Sequence, residues 1–392
     1  MIAQIDINTR RARYFDVRRL TPREVYRLQG VSEGDIDLLL KKRPRGEYED
    51  GTEQLLFGED EWLSMGGSDE IPVIPVHEHY KLAGNSIVVD VLTAIFRQLF
   101  RPGVGQGDER CWQYRHPSTR PITMISLCSG YDAQCLALQR LVDQIEADEV
   151  EPPLSYRLVS WSEYDPESVR PLRRQPAVMA HDLLFPDAAR LNMGDMTRIK
   201  WSQVVPERIG YGELDLLTYS TPCQDISKAG RQAGIGKGTG TRSAVLWHTE
   251  KAIEALRPRF LLQENVATLV SRKVMPHFKE WLRLVEGYGY RNYWAVLNAK
   301  RFGVPQNRDR VFCVSVRQDV APGMVFSWPS PSAARSAVSD ILEKDVERQY
   351  FLSAGGVVAF LKKIEKQPHV YTECDHKLNG DEIRQVIQDN IS

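Results

Sequence analysis

Residues 214–224 read Leu-Asp-Leu-Leu-Thr-Tyr-Ser-Thr-Pro-Cys-Gln, an apolar run that ends in a turn with proline and cysteine. We expect the run to be a buried strand with Cys223 at its carboxyl end. A segment with five glycines follows at 225–242, and we expect it to close over the site. Open α/β sheets bind ligands at the carboxyl ends of their strands, so this thiol is a candidate nucleophile. Taken alone, a single cysteine is more often an inert buried residue.

Short apolar runs alternate with helical patterns outward from this strand. Strands are predicted at 122–128, 157–162, 214–220, 260–262, 293–297 and 311–316. Helices are predicted at about 133–147, 165–174, 243–256 and 274–287. Repeated βαβ units of this length predict an α/β fold with a doubly wound, mostly parallel sheet.

The composition is that of an ordinary globular protein, with 392 residues, 42% hydrophobic residues and 26% charged residues. The net charge of -1 excludes a globally basic nucleic-acid-binding protein and limits any basic surface to local patches. One such patch is predicted near the start, where seven arginines fall within the first thirty residues. These arginines form either a solvated face or a contact with nucleic acid.

The six cysteines include no Cys-x-x-Cys pair, so neither a zinc ribbon nor another metal site is expected. A disulfide framework is not expected in so long a chain without a secretory signal. We see no apolar run that approaches the ~20 residues of a membrane span. These features predict a reduced, cytoplasmic protein in which Cys223 remains a thiol.

Three more segments place polar residues at predicted strand ends. Gln-Glu-Asn-Val at 263–266 carries Glu264, and Gln-Asn-Arg-Asp-Arg at 306–310 carries Arg308 and Arg310. The strand at 122–128 leads into Ser-Gly-Tyr, the usual position of a nucleotide-like cofactor. Each has an ordinary alternative: a helix cap for the glutamate, a surface ion pair for the arginines, and a plain turn for the glycine.

Together and in this order, the motifs resemble those of the cytosine-C5 DNA methyltransferases, which use S-adenosylmethionine. The resemblance covers roughly residues 18–30, 80–100 and 122–350, and it implies a Rossmann-like methyltransferase sheet with a small target recognition region. It implies that Cys223 bonds to C6 of a flipped-out cytosine in duplex DNA and that Glu264 handles N3. It also implies that Arg308 and Arg310 hold the base and the catalytic loop.

The resemblance further implies a site for S-adenosylmethionine. Glu163 matches the residue that binds the ribose hydroxyls, and Asp195 matches the one that meets the adenine amino group. The full set of expected cofactor contacts is Cys128, Ser129, Gly130, Tyr131, Glu163, Tyr164, Asp195, Met196, Pro222, Leu246, Asn85 and Ser86. Expected substrate contacts are Gln224, Ser227, Asn265 and Gln306. The sequence departs from the family at Cys128, where phenylalanine is usual, and at Asp132-Ala133, where paired glycines are usual.

The motif order is changed. Arg-Leu-Thr-Pro-Arg-Glu at 19–24 and Tyr-Lys-Leu-Ala-Gly-Asn-Ser at 80–86 come last in most members of the family and first here. We therefore predict a circularly permuted chain, which packing tolerates because domain termini often lie close together. The predicted organisation is permuted motifs at 1–100, a linker at 101–121, a cofactor-binding catalytic domain at 122–316 and a small or partial target recognition region at 317–392.

Several alternatives stay open. Target recognition is either minimal within this chain or supplied by a separate recognition subunit. Double-stranded DNA is the implied partner. The enzyme is expected to act as a monomer in the cytoplasm of a bacterium, or to be encoded by a phage. Its expected role is restriction–modification, genome protection or solitary methylation.

Three other functions share part of this pattern of residues. A tRNA cytosine-C5 methyltransferase shares the Pro-Cys-Gln and Glu-Asn-Val motifs but has a Cys-Phe-Thr signature that is absent here. A silent DNA-binding subunit would not need Cys223, Glu264 and Arg310 together. A thiol hydrolase would need a histidine partner, and His248 is the nearest to Cys223 in sequence.

Overall fold

The computed structural model describes residues 2–6, 11–15, 17–45, 68–100, 114, 116–117, 119–149, 153–165, 175–204, 212–222, 242–323, 325–332, 336–353, 355–357 and 359–360. The chain divides into two compact units. Residues 25–341 form one, and residues 1–24 with 342–392 form the other. Cys223, Gln224, Ser227 and most of the glycine-rich segment lie outside the described residues.

The strands are β1 (Ile2–Asp6), β2 (Arg11–Phe15), β3 (Lys42–Pro44), β4 (Glu70–Pro72), β5 (Ile122–Leu127), β6 (Tyr156–Ser162), β7 (Leu216–Tyr219), β8 (Phe260–Val266), β9 (Tyr290–Asn298) and β10 (Asp309–Arg317). The α-helices are α1 (Pro22–Leu28), α2 (Glu33–Leu39), α3 (Val76–Asn85), α4 (Val89–Phe100), α5 (Ala133–Ala147), α6 (Pro176–Leu184), α7 (Thr249–Leu256) and α8 (Met275–Gly287). Short 3-10 turns include Pro186–Leu191, Arg242–His248, Ala267–Val270 and Ala299–Phe302.

A six-stranded sheet in the order β6-β5-β7-β8-β10-β9 organises the larger unit. The first four strands run parallel, and β10 runs antiparallel to both β8 and β9. The carboxyl ends of β5, β6, β7 and β8 therefore meet the start of β10 at one edge. This confirms the predicted α/β fold with a doubly wound, mostly parallel, Rossmann-like sheet.

Hydrophobic residues cover both faces of this sheet. Consecutive strand residues point to opposite faces, so Met124, Leu216 and Leu262 join one core cluster. Ile125, Leu217 and Leu261 join the other. The first cluster also contains residues of α4 and α5, and the second contains residues of α7 and α8. Residues from the first hundred of the chain thus help to build the core of the sheet.

Several helices and strands begin or end at residues other than those predicted from the sequence. Strand β8 continues to Val266, and its pairing with β10 keeps the polar residues 263–265 in the ladder. Residue 165 is not helical and 166–174 lie outside the described residues, whereas α6 begins at Pro176. Proline suits the first helical position because its missing N–H has no partner to lose there. The predicted helix at 243–256 is a 3-10 turn followed by α7.

The start of α1 is held by two reciprocal hydrogen bonds within the smaller unit. Thr21 Oγ1 accepts the backbone N–H of Glu24 at 3.2 Å, and Glu24 Oε2 accepts the backbone N–H of Thr21 at 2.8 Å. This reciprocal pair is a capping box. Arg18 holds the same carboxylate with two hydrogen bonds of 2.7 Å, so the buried Glu24 charge is paired.

One segment of the described chain, Val76–Phe100, is long and apolar enough to cross a membrane, with a mean hydropathy of 1.2 over its most apolar window. No such segment was expected from the sequence alone. The chain breaks at 86–88 into α3 and α4, and 61% of its most apolar window is buried. Core helices satisfy the same criteria, so the segment is weak evidence for a membrane span.

Candidate active site

Glu264 and Arg310 meet at the carboxyl edge of the sheet. The antiparallel register of β8 and β10 pairs Arg310 with Val266 and Phe312 with Glu264. Arg310 Nε lies 3.1 Å from Glu264 Oε1. The glutamate is 7% exposed, and burial raises its pKa to about 7 against the opposing charges of Arg310 and Arg308 and a hydrogen bond from Ser220. Glu264 can therefore hold or release a proton near neutral pH.

Asn265 holds the segment that leads to Cys223. Its Nδ2 donates to the carbonyl oxygen of Thr221 at 3.1 Å, and its Oδ1 accepts the N–H of Val266 at 2.9 Å. The end of β8 is thereby joined to the end of β7, just before Pro222-Cys223. The predicted contact of Asn265 with substrate stays a prediction, as do the roles of Cys223, Gln224 and Ser227.

Residues 306–310 bind the segments from the start of the chain that are predicted to be permuted. Arg308 Nη2 donates to the carbonyl oxygens of Gly84 at 2.8 Å and Ser86 at 2.6 Å. Gln306 Nε2 donates to the carbonyl oxygen of Leu28 at 3.1 Å. Arg308 and Arg310 thus have different hydrogen-bond partners, although both charges lower the pKa of Glu264.

Eight of the twelve predicted cofactor residues lie in three segments, 128–131, 162–165 and 194–196, which we call the cradle. Ser129 N donates to the carbonyl oxygen of Ser162 at 3.2 Å. Gly130 N donates to Glu163 Oε2 at 2.8 Å, and burial raises the pKa of that carboxyl. Tyr164 is 53% exposed. The loop after β5 is therefore bound to the Glu163 carboxylate after β6, and the next residue, Tyr164, is exposed.

The remaining cradle residues have partners of their own. Asp195 accepts the N–H of Thr197 at 2.9 Å and its hydroxyl at 2.7 Å. Cys128 has a left-handed φ of 51°, and its sulfur lies 3.4 Å from the sulfur of Met196. Met196 and Leu246 are almost fully buried in the second core cluster. Cofactor contact by these residues stays a prediction.

Tyr131 is the buried aromatic residue of the cradle. Its ring packs edge-on against Tyr26, with the ring centroids 5.9 Å apart. The Tyr26 hydroxyl lies 2.9 Å from Nδ1 of His79, and burial lowers the pKa of His79 to about 4, so the imidazole is neutral at pH 7. Sequence reasoning did not single out Tyr26 or His79, because buried aromatic residues give no motif signal.

A second buried contact supports the turn after Gly130. Asp132 caps α5 in a left-handed conformation, with φ 62°, and its Oδ1 accepts the N–H of Cys135 at 3.3 Å. Its Oδ2 lies 3.6 Å from Nε2 of His181, whose ring stacks on Trp161 at 3.6 Å. Aspartate tolerates this conformation better than most residues, so it can stand where the family usually has glycine. The signal that could have found it is an aspartate directly before a helix.

Among the described residues, no group of three or more His, Cys, Asp or Glu side chains could hold a metal ion.

Three relatives share parts of this chain. It is 39% identical over 171 residues to the type II methyltransferase M2.ScrFI of Lactococcus lactis subsp. cremoris, covering 44% of this chain and 45% of that protein. It is 38% identical over 138 residues to the orphan methyltransferase M.SssI of Spiroplasma monobiae, covering 34% and 36%. It is 25% identical over 270 residues to the orphan methyltransferase M.SPRI of Bacillus phage SPR, covering 62% and 55%.

The chain therefore spans about half or less of the length of these relatives. Residues 122–391 match the pattern of the C-5 cytosine-specific DNA methylases, which confirms the resemblance drawn from the motifs. From the motifs at the sheet edge and this match, the chain belongs to the C-5 cytosine-specific DNA methylase family.

Proposed function

We propose that this chain is a DNA (cytosine-5-)-methyltransferase that transfers a methyl group from S-adenosylmethionine to C5 of cytosine in double-stranded DNA. The observation that carries the proposal is the buried Glu264–Arg310 pair, 3.1 Å apart, beside the Thr221-Pro222 turn that precedes Cys223. Membership of the family supports the same activity.

The pair suits the electronic demand of the reaction. The C5 carbon of cytosine is a poor nucleophile, and addition of the Cys223 thiolate to C6 forms an S–C6 bond that moves electron density onto C5 and N3. Glu264, with a pKa of about 7, can hold a proton at N3 as that density develops. Arg310 can hold the O2 edge of the same base. A free cysteine has a pKa near ~8.5, so the site must also favour the thiolate.

The cradle fits S-adenosylmethionine. The Glu163 carboxylate suits the ribose hydroxyls, and the exposed Tyr164 ring suits an adenine face. At Gly130, with a left-handed φ of 59°, an added Cβ would meet nothing within 4 Å, so there is open space above the loop. When bound, S-adenosylmethionine supplies the electrophilic methyl group that C5 takes up. Loss of the C5 proton to a base then lets Cys223 leave and restores the aromatic ring.

The target base must leave the duplex to reach this site. Extruding a base costs a few kcal/mol, and we propose that residues 225–242 close over it. Gln224, Ser227, Asn265 and Gln306 are proposed substrate contacts. Asn265 and Gln306 also donate hydrogen bonds to backbone oxygens, so these two residues would hold the site together as well as contact the substrate.

We also propose that the chain is circularly permuted. The support is that Gly84 and Ser86 are bound by Arg308, Leu28 is bound by Gln306, and α4 lies beside α5 through Thr93. Segments from the start of the chain therefore contact the motifs that precede them in most relatives. Asn85 and Ser86 are proposed to reach the cofactor. The proposed organisation keeps 1–100 as permuted motifs, 101–121 as the joint, 122–316 as the catalytic domain and 317–392 as the recognition region.

Target recognition has two candidate sources. Either residues 317–392 suffice, or a separate recognition subunit completes the enzyme. We propose a monomer acting on DNA in the cytoplasm of a bacterium, or encoded by a phage. The type II and orphan names of the relatives fit restriction–modification and solitary methylation alike.

The test incubates the whole chain with duplex DNA and labelled S-adenosylmethionine, followed by sequencing of modified cytosines. We expect label at C5 of cytosine, and its loss in Cys223→Ala with cofactor binding intact. Cys111→Ala, which also removes one thiol but lies in the proposed joint 101–121, is the matched control and should retain activity. Methylation by Cys223→Ala would refute the nucleophile assignment, and label in RNA alone would refute the DNA substrate. Label only after addition of a second protein would establish the separate subunit.

A further inference from the structure

The third segment of the cradle is held differently from the first two. Residues 128–131 and 162–165 follow neighbouring parallel strands, whose pairing fixes them. Residues 194–196 follow the 3-10 turn Pro186–Leu191 and belong to no strand of the sheet. The position of Asp195 relative to Glu163 must therefore depend on isolated contacts.

Asn192 makes three contacts here through one amide group. Its Oδ1 accepts the N–H of Glu163 at 3.2 Å and the N–H of Gly194 at 2.9 Å. Its Nδ2 donates to the carbonyl oxygen of Glu163 at 3.3 Å. The acceptor and the donor of a single side chain are thus both used on the backbone of two cradle segments.

Two further hydrogen bonds join the residues that follow Asn192 to strand β6. Met193 N donates to the carbonyl oxygen of Trp161 at 2.8 Å, and Ser162 Oγ donates to the carbonyl oxygen of Gly194 at 2.6 Å. Gly194 has a left-handed φ of 69°, so the chain reverses directly before Asp195. The bond from Asn192 to the N–H of Gly194 lies at this reversal.

We propose that Asn192 is a positioning residue for S-adenosylmethionine, whose side-chain amide sets the spacing between the Glu163 carboxylate and Asp195. This inference rests on the proposed function. Ribose and adenine lie a fixed distance apart in the cofactor, so the two carboxylates can bind both groups at once only if their own spacing is held. Asn192 itself touches only protein.

The substitutions separate the two kinds of contact. Asn192→Ala removes all three hydrogen bonds and leaves two backbone N–H groups without their acceptor. Asn192→Asp keeps an oxygen for both N–H groups, loses the donor to Glu163 and adds a negative charge. Asn292→Ala is the matched control. Asn292 donates to the carbonyl oxygen of Leu282 at 2.9 Å and accepts the hydroxyl of Ser315 at 2.7 Å, on the edge strand β9.

The experiment measures the Kd of S-adenosylmethionine for the whole chain by calorimetry, together with KM for cofactor and for DNA. We expect Asn192→Ala to raise the cofactor Kd about tenfold, which corresponds to about 1.4 kcal/mol. Its KM for cofactor should rise alike, and its KM for DNA should not. Asn192→Asp should give a smaller increase, and Asn292→Ala none.

Three outcomes would overturn the inference. They are a cofactor Kd of Asn192→Ala within twofold of the wild type, an equal rise in Asn292→Ala, and an equal rise in both KM values. If Asn192→Ala fails to fold, Asn192→Asp decides, and an unchanged Kd in that variant overturns the inference. A wild-type chain that binds no S-adenosylmethionine would instead refute the proposed function.

Discussion

Replacement of Glu264 by glutamine should stabilise the protein at alkaline pH. Glutamine keeps the size and polarity of the side chain but cannot carry a charge. Burial raises the pKa of Glu264 from its ordinary 4.5 to about 7. The folded state therefore holds a proton that the unfolded state releases between these values, and the stability of the wild type falls as pH rises through this window.

The magnitude follows from the two pKa values. The difference between 4.5 and about 7 corresponds to about 3.4 kcal/mol of lost stability once the pH exceeds both. Part of this loss is already present at pH 5, so the change between pH 5 and pH 8 is about 2.5 kcal/mol. At 7% exposure, solvent screens the group little, so most of this effect should be measurable.

The assay is urea unfolding of the wild type and Glu264→Gln at several pH values between 5 and 8, followed by tryptophan fluorescence. The free energy of unfolding of the wild type should fall by about 2.5 kcal/mol relative to the variant. Glu280→Gln, at an exposed position of α8, serves as the control and should track the wild type. A difference between wild type and Glu264→Gln that is the same at pH 5 and pH 8 would refute the reasoning.

Three further predictions concern charges around the same sheet. Asp132→Ala should lower the free energy of unfolding by about 2 kcal/mol, because alanine loses both the cap and the tolerance of φ 62°; Asp132→Asn, measured by the same urea titration, should recover most of it. Asp215→Asn should cost about 3 kcal/mol, since it leaves Arg120 and Arg259 facing a neutral group at a buried position; an unchanged unfolding midpoint would contradict this. Arg308→Gln should raise the pKa of Glu264 further, because the charge of Arg308 lowers it; the alkaline limb of the pH–rate profile should move upward, and an unmoved limb would argue against the coupling.

The positions of the strands along the chain could be predicted from sequence, and the residue types at the start of α1 mark a helix start, because both depend on local patterns. The alternation of apolar and polar runs identifies strands such as β5 and β7, and Thr21-Pro22-x-Glu24 identifies a helix start. The end of β8 could not be predicted in this way. Its residues 263–265 are polar, and they stay in the sheet through pairing with β10 and, for Gln263, also with Tyr219 of β7.

The candidate site divides along the same line. The groups proposed to carry the chemistry, Glu264, Arg310 and Glu163, stand in short motifs of the residue types that the proposed reaction needs, so the sequence alone identifies them as candidates. The residues that support these groups cannot be identified from the sequence in this way. Asn192, Tyr26 and His79 act through hydrogen bonds and packing with residues distant in the chain, and an isolated asparagine or tyrosine gives no signal of its partner.

The sequence by itself determined the family and the α/β fold and identified the candidate residues for the chemistry, because these depend on residue type and local order. Only the tertiary structure decided that Arg308 binds the Gly84–Ser86 turn while Arg310 binds Glu264. It also decided that Glu264 is buried enough to titrate near pH 7. The physical reason is that hydrogen-bond partners and desolvation depend on which distant segments pack together, and local patterns do not carry that information.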